Sequence, residues 1–388
     1  MKTTAKNKIV VAMSGGVDSS VAAALLKKRG YFVMGVFMKF WLGSPKPAGV
    51  GGKGYNSCCS VESEKMARAV AKQLDIPFYV LNVEKEFKKK VVDYFLKEYK
   101  AGNTPNPCVV CNKEIKFGLL IKKALKMGAN YVATGHYVRV SRGNQIFSNR
   151  SPNQILEAKD KNKDQSYFLW QLNQKQLEKV LFPVGNYTKP KVRALAKKFN
   201  LPTAETPESQ EVCFVPASPA GRQNATNNFL EKYLKTKPGK IILRTNSREL
   251  VIGAHKGLWF YTIGQRKGIG LSGGPFYVVA KDFKKNNLIV SKNKNDLLQK
   301  ELAVKNVNWL SGKPPKFPIK VLARIRYRNK LAKATIFKFQ TSNFKLLFDC
   351  GQKAVTPGQS VVFYLPRRSS KAKECAGNEL LGGGIIDR

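Results

Sequence analysis

The segment Met13-Ser14-Gly15-Gly16-Val17-Asp18-Ser19-Ser20 lies between an apolar run, residues 9–13, and an alanine-rich run, residues 21–26. Adjacent glycines let a chain turn sharply at the end of a strand. The helix that follows then aims its open N–H groups and positive dipole end into the turn. A pyrophosphate fits there, so the spacing predicts a cradle for the phosphates of ATP over Ala12, Met13, Ser14, Gly15, Gly16, Val17, Asp18 and Ser19. It is not a Walker loop, because Gly-x-x-x-x-Gly-Lys-Ser/Thr cannot be written onto these residues. Flanking serines and an acidic residue distinguish it from an ordinary strand-to-helix turn.

The other residues suited to chemistry are cysteines. Cys111 follows Pro105-Asn106-Pro107-Cys108 and precedes Asn112-Lys113-Glu114-Ile115-Lys116. That context predicts a helix N-terminus beside two lysines; both features lower a thiol pKa and would make a nucleophile, the alternative being a buried small hydrophobe that happens to start a helix. Cys213, in Val212-Cys213-Phe214-Val215, has apolar neighbours and on its own reads as a core residue. The hundred or so residues between these cysteines do not prevent them from meeting in the fold. Cys58, Cys59, Cys350 and Cys375 read as structural or incidental thiols, and with only two histidines a zinc site is not expected.

The elements that must position these groups alternate. Residues 8–13, 32–37, 78–82 and 131–133 read as buried strands, and residues 19–29, 61–74, 84–99 and 113–127 as helices. This is the pattern of an α/β doubly wound parallel sheet, whose ligands sit beyond the carboxyl ends of its strands. Met38, after the second strand, and Gly135, after the fourth, thereby become candidates for the adenine and ribose pocket. Residues 39–55 are rich in Gly and Pro and read as a long loop or lid. Helices are expected over 175–180 and 189–199, the latter with Thr188 placed to cap it. After residue 214 a short helix near 228–234 and strand-like pieces at 240–243 and 259–263 form a small central domain. From about 296 onward, alternating runs at 321–327, 333–339, 361–364 and 383–386 suggest a β-barrel. The expected domains are 1–213, 214–295 and 296–388.

With 388 residues, 43% of them apolar, the chain can fill real cores. Lys and Arg number 69 against 25 Asp and Glu, a formal charge of +44 that favours a polyanionic partner such as RNA. Part of that excess is compositional, since runs such as Lys88-Lys89-Lys90 suit any solvated helix face. No run of eighteen apolar residues exists and the start is too polar for a signal peptide, so the expectation is a cytoplasmic protein without a membrane partner.

Together these motifs resemble the tRNA-specific 2-thiouridylase family, which replaces the 2-oxygen of the wobble uridine of certain tRNAs by sulfur. The likeness runs from about residue 8 to 386. It is carried by Ser14-Gly15-Gly16-Val17-Asp18-Ser19, Phe37-Met38-Lys39, Pro105-Asn106-Pro107 with Cys111-Asn112-Lys113-Glu114-Ile115-Lys116-Phe117, and Ala133-Thr134-Gly135-His136-Tyr137. Lys163-Asp164-Gln165, Gly264-Gln265-Arg266-Lys267-Gly268 and Val355-Thr356-Pro357-Gly358-Gln359-Ser360 also match.

The resemblance implies an adenine-nucleotide alpha-hydrolase-like fold. It further implies ATP with Mg²⁺, ordered by Asp18, adenylation of the uridine 2-oxygen, and displacement of AMP by sulfur. By the same carry-over, Cys213 bears a persulfide received from a sulfur-relay or cysteine desulfurase protein. Cys111 attacks that persulfide or forms a disulfide with Cys213. Asn106, Pro107 and Cys108 lie against the target base, and His136, Lys163, Asp164, Gln165, Arg326, Tyr327 and Gln359 contact tRNA.

Many relatives carry aspartate where this chain has Cys108. The departure admits an alternative in which Cys108, Cys111 and Cys213 bind an iron–sulfur cluster that delivers sulfide. Two readings from other classes use the same residues: an AMP-forming ligase acting on a small metabolite, and a basic RNA-binding protein with a vestigial nucleotide site.

Overall fold

The computed structural model describes residues 7–43, 60–142, 153–208, 212–216, 221–245, 249–339, 343–366 and 377–387. Cys58, Cys59, Cys375 and most of the expected lid lie outside the described residues.

The expected doubly wound sheet is present. Its five strands run in the order Phe78–Asn82, Phe32–Lys39, Lys8–Ala12, Tyr131–Ala133 and Val180–Leu181, all parallel. The central strand shows why: Ile9, Val10 and Val11 are all fully buried, the signature of a strand covered on both faces. Ile9 and Val11 face the helix Val17–Lys28, through Val21 and Ala22, and the helix Lys189–Lys198, through Val192. Val10 faces the opposite layer, with Val91, Phe95 and Ile115.

Several boundaries differ from expectation. The strand Phe78–Asn82 is the sheet's edge and not a buried strand, since with one neighbour only it leaves Tyr79 47% and Val80 41% exposed. The helix expected over 175–180 is a single turn, Gln174–Leu177, capped by Asn173. Val180–Leu181 then joins the sheet beside Val132 and Ala133. Thr188 stands in extended conformation before Lys189–Lys198, but its side chain makes no capping bond.

The C-terminal barrel is also present. Leu298–Trp309, Phe344–Lys353, Ala332–Lys338, Ile319–Arg324, Ser360–Leu365 and Glu379–Ile386 pair in that order, and the last closes on the first. The first of these strands was not legible as such, because its outward residues outnumber its buried ones. A ribbon from the N-terminal half, Arg139–Arg142 with Asn153–Leu156, extends this sheet by pairing Ile155 with Leu380. Between sheet and barrel, Tyr277–Asp282, Asn287–Ser291, Gly239–Arg244 and Glu249–His255 form a four-stranded sheet beside the helix Arg222–Glu231. Residues 259–263 are not a strand: Leu258–Phe260 is a tight turn, and Leu258, Phe260 and Tyr261 are packed inward instead of paired. No helix among the described residues is long and apolar enough to cross a membrane.

Candidate active site

The glycine turn is suspended from the sheet by a bond from Met13 N to the Val36 carbonyl, 2.9 Å. Gly15 takes φ +75°, and a Cβ there would run into the Ser63 carbonyl oxygen, so both conformation and space require glycine. Ser19 Oγ accepts from Ser14 N at 3.2 Å and donates to the Gly16 carbonyl at 3.0 Å, closing the turn from inside. The helix Val17–Lys28 starts from an extended Gly16 with no side-chain cap, which leaves its first-turn N–H groups available to an anion. Gly135, at the end of the fourth strand, rests on this turn: a Cβ would stand 2.6 Å from Ser19 N. Met38, buried at the end of the second strand, completes the same sheet edge. These residues fit a nucleotide triphosphate.

Asp18, in the first turn of that helix, is already engaged. Its Oδ1 accepts from the Tyr137 hydroxyl and from Lys189 Nζ, each at 2.7 Å. Lys189 also lies 3.0 Å from Glu208 Oε1, and Glu208 Oε2 pairs with Lys163 at 2.6 Å. Burial alone would raise the Glu208 carboxyl, but hydrogen bonds from Lys163 and Lys189 hold it below its ordinary pKa. Burial, then the Asp18 carboxylate, pushes the Tyr137 phenol far up, so it remains a donor.

Asp18, the expected magnesium ligand, has its Oδ1 engaged by an ammonium and a hydroxyl, and among the described residues no group of three or more His, Cys, Asp or Glu is gathered around it. Lys189 and Glu208 were not singled out in the sequence. The available signal was a lysine in the first turn of a helix, where the macrodipole disfavours a cation.

Cys111 is not at the start of its helix. The chain is helical from Pro107–Cys111 through a π-wound stretch, Asn112–Leu119, into Leu120–Lys126, so the N-terminal thiol is that of Cys108, which is exposed. One turn on, Cys111 faces the core with Val109, Ile115 and Phe117. The expected lowered pKa is therefore corrected. Burial pushes the Cys111 thiol up to about 11, Lys116 opposes this, and Cys108 adds to it.

Lys116 also acts on His136. Burial first, then Lys116, holds that imidazole well below its ordinary pKa, while its Nδ1 lies 2.8 Å from Thr134 Oγ1 and Phe117 packs 5.7 Å from its ring. His136, next to Gly135, thus packs on Phe117, which shares its helix and core with Cys111.

Cys213 is half-buried against the same core. Its neighbour Phe214 lies edge-on to Phe87 at 5.8 Å and Phe95 at 5.2 Å. Those two rings flank Lys88–Val92, the helical stretch on which Pro107–Cys111 packs. Cys111 and Cys213 carry thiols and are not joined to each other. Cys108, Cys111 and Cys213 are not gathered as a metal-binding group, so the iron–sulfur expectation does not fit: Cys108 points to solvent while Cys111 points inward from the same helix.

The residues expected at tRNA divide. Asn106 bonds the Tyr167 hydroxyl, and Gln359 Nε2 donates to the Thr104 carbonyl at 2.6 Å, so both frame the loop before Pro107. Lys163 and Gln165 border the cradle, Gln165 accepting from Tyr137 N at 2.9 Å. Asp164 is withdrawn: 2% exposed, it accepts from Ala158 N and Ser166 Oγ and shapes its own turn. Arg326 and Tyr327 sit in a seam between barrel and neighbours. The Arg326 guanidinium donates to the Ile263 carbonyl and the Thr356 hydroxyl, and Tyr327 packs on Phe168 with ring centroids 4.5 Å apart.

Comparison with known proteins agrees along the whole chain. The tRNA methyl transferase HUP domain matches residues 7–217, the tRNA methyl transferase PRC-barrel domain residues 227–292, and the aminomethyltransferase beta-barrel domain residues 299–386. The tRNA-specific 2-thiouridylase MnmA of Carboxydothermus hydrogenoformans is 43% identical over 100% of both chains. That of Clostridioides difficile is 42% identical over 98% of both, and that of Streptococcus sanguinis 42% over 100% of this chain and 97% of its own. Among solved structures, a 4-thiouridine synthetase–RNA complex with bound ATP covers 58% of this chain and 50% of that one, at 19% identity and TM-score 0.32, too low to carry an argument.

Proposed function

The chain belongs to the tRNA-specific 2-thiouridylase family, and from that premise we propose that it thiolates the wobble uridine of tRNA by way of an adenylated base. ATP lies with its phosphates in the turn Met13 to Ser19 and its adenosine between Met38 and Gly135. The uridine 2-oxygen attacks the α-phosphate and pyrophosphate leaves, its charge met by the open N–H groups of the first helical turn. Adenylation converts a poor leaving oxygen into a good one.

Cys213 carries a persulfide received from a sulfur-relay or cysteine desulfurase protein. Cys111 attacks the Cys213 sulfur and its proton passes to the departing outer sulfur, so a disulfide forms between the two and sulfide is released, ionising to hydrosulfide. Hydrosulfide adds to C2 of the base and AMP departs with the former 2-oxygen. An external thiol then reduces the disulfide and returns both cysteines. Asn106 and Cys108, on the rim of the loop before the helix, face the target base. His136, Lys163, Gln165 and Gln359 frame the tRNA's entry. The reaction belongs in the cytoplasm, where tRNA and ATP are available.

The observation that supports this reading most is the packing of His136, the neighbour of Gly135 at the phosphate turn, on Phe117, which shares its helix and core with Cys111. Incubation with ATP, a persulfide source and unmodified tRNA should yield 2-thiouridine and AMP in equal amounts. Cys111→Ser and Cys213→Ser should each abolish thiolation while ATP binding persists. Thiolation surviving either change would remove the persulfide route.

A further inference from the structure

Lys189 is 7% exposed and is held by two carboxylates, Asp18 Oδ1 at 2.7 Å and Glu208 Oε1 at 3.0 Å, with its ammonium 5.8 Å from the centre of the Tyr137 ring. Placing it there is unfavourable twice over. It opens the helix Lys189–Lys198, whose positive end repels a cation, and a buried ammonium loses its hydration. Asp160 Oδ2 accepts from Lys189 N at 2.9 Å, so the backbone end of this helix is capped independently of the ammonium. A purely structural ion pair would serve equally well anywhere in the core. This one includes Asp18, which stands one residue beyond the Gly16-Val17 turn and in the open first turn of the phosphate-loop helix.

The turn itself has no lysine between residues 12 and 20. We infer that Lys189, 171 positions away in the chain, supplies the missing ammonium. It contacts the β- and γ-phosphates of ATP and follows the departing pyrophosphate, while Asp18 and Glu208 hold it in place when no phosphate is bound. Anionic phosphate replaces one carboxylate as its partner, and Lys163, which shares Glu208, keeps the remaining carboxylate neutralised. A point-charge ammonium with three donors suits this exchange, since it can pass between oxygens without losing orientation.

The inference rests on the ATP-binding part of the proposed function, and the test separates the two. Calorimetric affinities for ATP and AMP are measured on the full chain, on Lys189→Gln and on Lys189→Arg. The unaltered protein should bind ATP more tightly than AMP. Lys189→Gln should lose about tenfold or more in ATP affinity, as expected for a charged hydrogen bond, with AMP affinity within about twofold, and Lys189→Arg should restore most of the loss. An ATP-to-AMP ratio unchanged in Lys189→Gln, whether both affinities fall or neither does, leaves Lys189 a structural ion pair and overturns the inference alone. Failure of the unaltered protein to bind ATP overturns the reading beneath it as well. Should Lys189→Gln not fold, Asp18→Asn is measured: loss of the carboxylate that phosphate displaces should raise the preference for ATP severalfold, and no rise overturns the inference.

Discussion

Gln359 of the barrel and Thr104 of the first domain are joined by a 2.6 Å hydrogen bond, answered by one from Thr104 N to the Pro357 carbonyl at 2.9 Å. The loop from which the Cys108 and Cys111 helix starts is therefore fixed by a segment some 255 residues away in sequence. Thr262 of the central region approaches the same Thr104 at 3.2 Å. Gln359→Ala should slow single-turnover thiolation about fivefold to tenfold, matching one hydrogen bond of about 1 kcal/mol. ATP affinity should not change, because the cradle is elsewhere. A parallel loss of ATP binding would show that this contact supports the whole fold.

Alkylation should discriminate among the thiols. With its pKa pushed up to about 11 by burial, Cys111 is protonated near neutral pH, whereas Cys108 and Cys350 are exposed. Iodoacetamide at pH 7.5 should label Cys108 and Cys350 first, as read by peptide mass mapping. Because the folded pKa exceeds the unfolded value, the stabilising contribution of Cys111 is complete below about pH 9 and is lost as pH rises toward 11. Cys111→Ser should flatten that alkaline decline in the unfolding midpoint.

Gly135→Ala should disable the nucleotide site. The added methyl would stand 2.6 Å from Ser19 N and 2.7 Å from the Asp18 carbonyl carbon, so the first helical turn or the strand end must move. Overpacking of this kind costs about 1 to 3 kcal/mol. ATP affinity is expected to fall about tenfold or more, and unchanged calorimetric binding would contradict the close approach.

His136 should give the protein an acid sensitivity with a definite sign. Burial, then Lys116, holds its folded pKa well below 6.5. Its contribution to stability is present above about pH 6.5 and is lost as pH falls, because the unfolded chain takes up a proton that the folded one refuses. His136→Gln should reduce the drop in stability between pH 7 and 5, measured by denaturant titration. A drop of undiminished size would assign it to other groups.

Association with tRNA should weaken steeply with salt. A formal charge of +44 predicts that several phosphates are neutralised on binding, with a log-log slope of about −4 to −8. A slope near zero, measured by filter binding across a salt series, would exclude a large polyanion as the substrate.

The sheet and the barrel were legible because their signals are local. The full burial of Ile9 to Val11 follows from an unbroken apolar run, and the glycine turn follows from Gly15-Gly16 placed between strand and helix. The burial of Cys111 was legible only as the alternative to an exposed nucleophile. Two lysines and a proline suggest an exposed helix start, but that start is decided by Pro107, and the facing layer from Val91 to Phe95 turns Cys111 inward. Lys189 and Glu208 acquire meaning only when strand order brings residues 18, 189 and 208 together, which spacing along the chain does not encode. Arg326 and Tyr327, residue types suited to RNA, make contacts in a seam of the fold that their spacing along the chain does not encode.

The strand Asn153–Leu156 finds its partner in Glu379–Ile386, which is synthesised long after it. While the ribosome is still translating, the first domain has all of its own sequence yet one border of that strand has nothing to pair with. Pulse-labelled nascent chains should therefore remain protease-sensitive around residues 153–156 until residue 386 has left the exit tunnel.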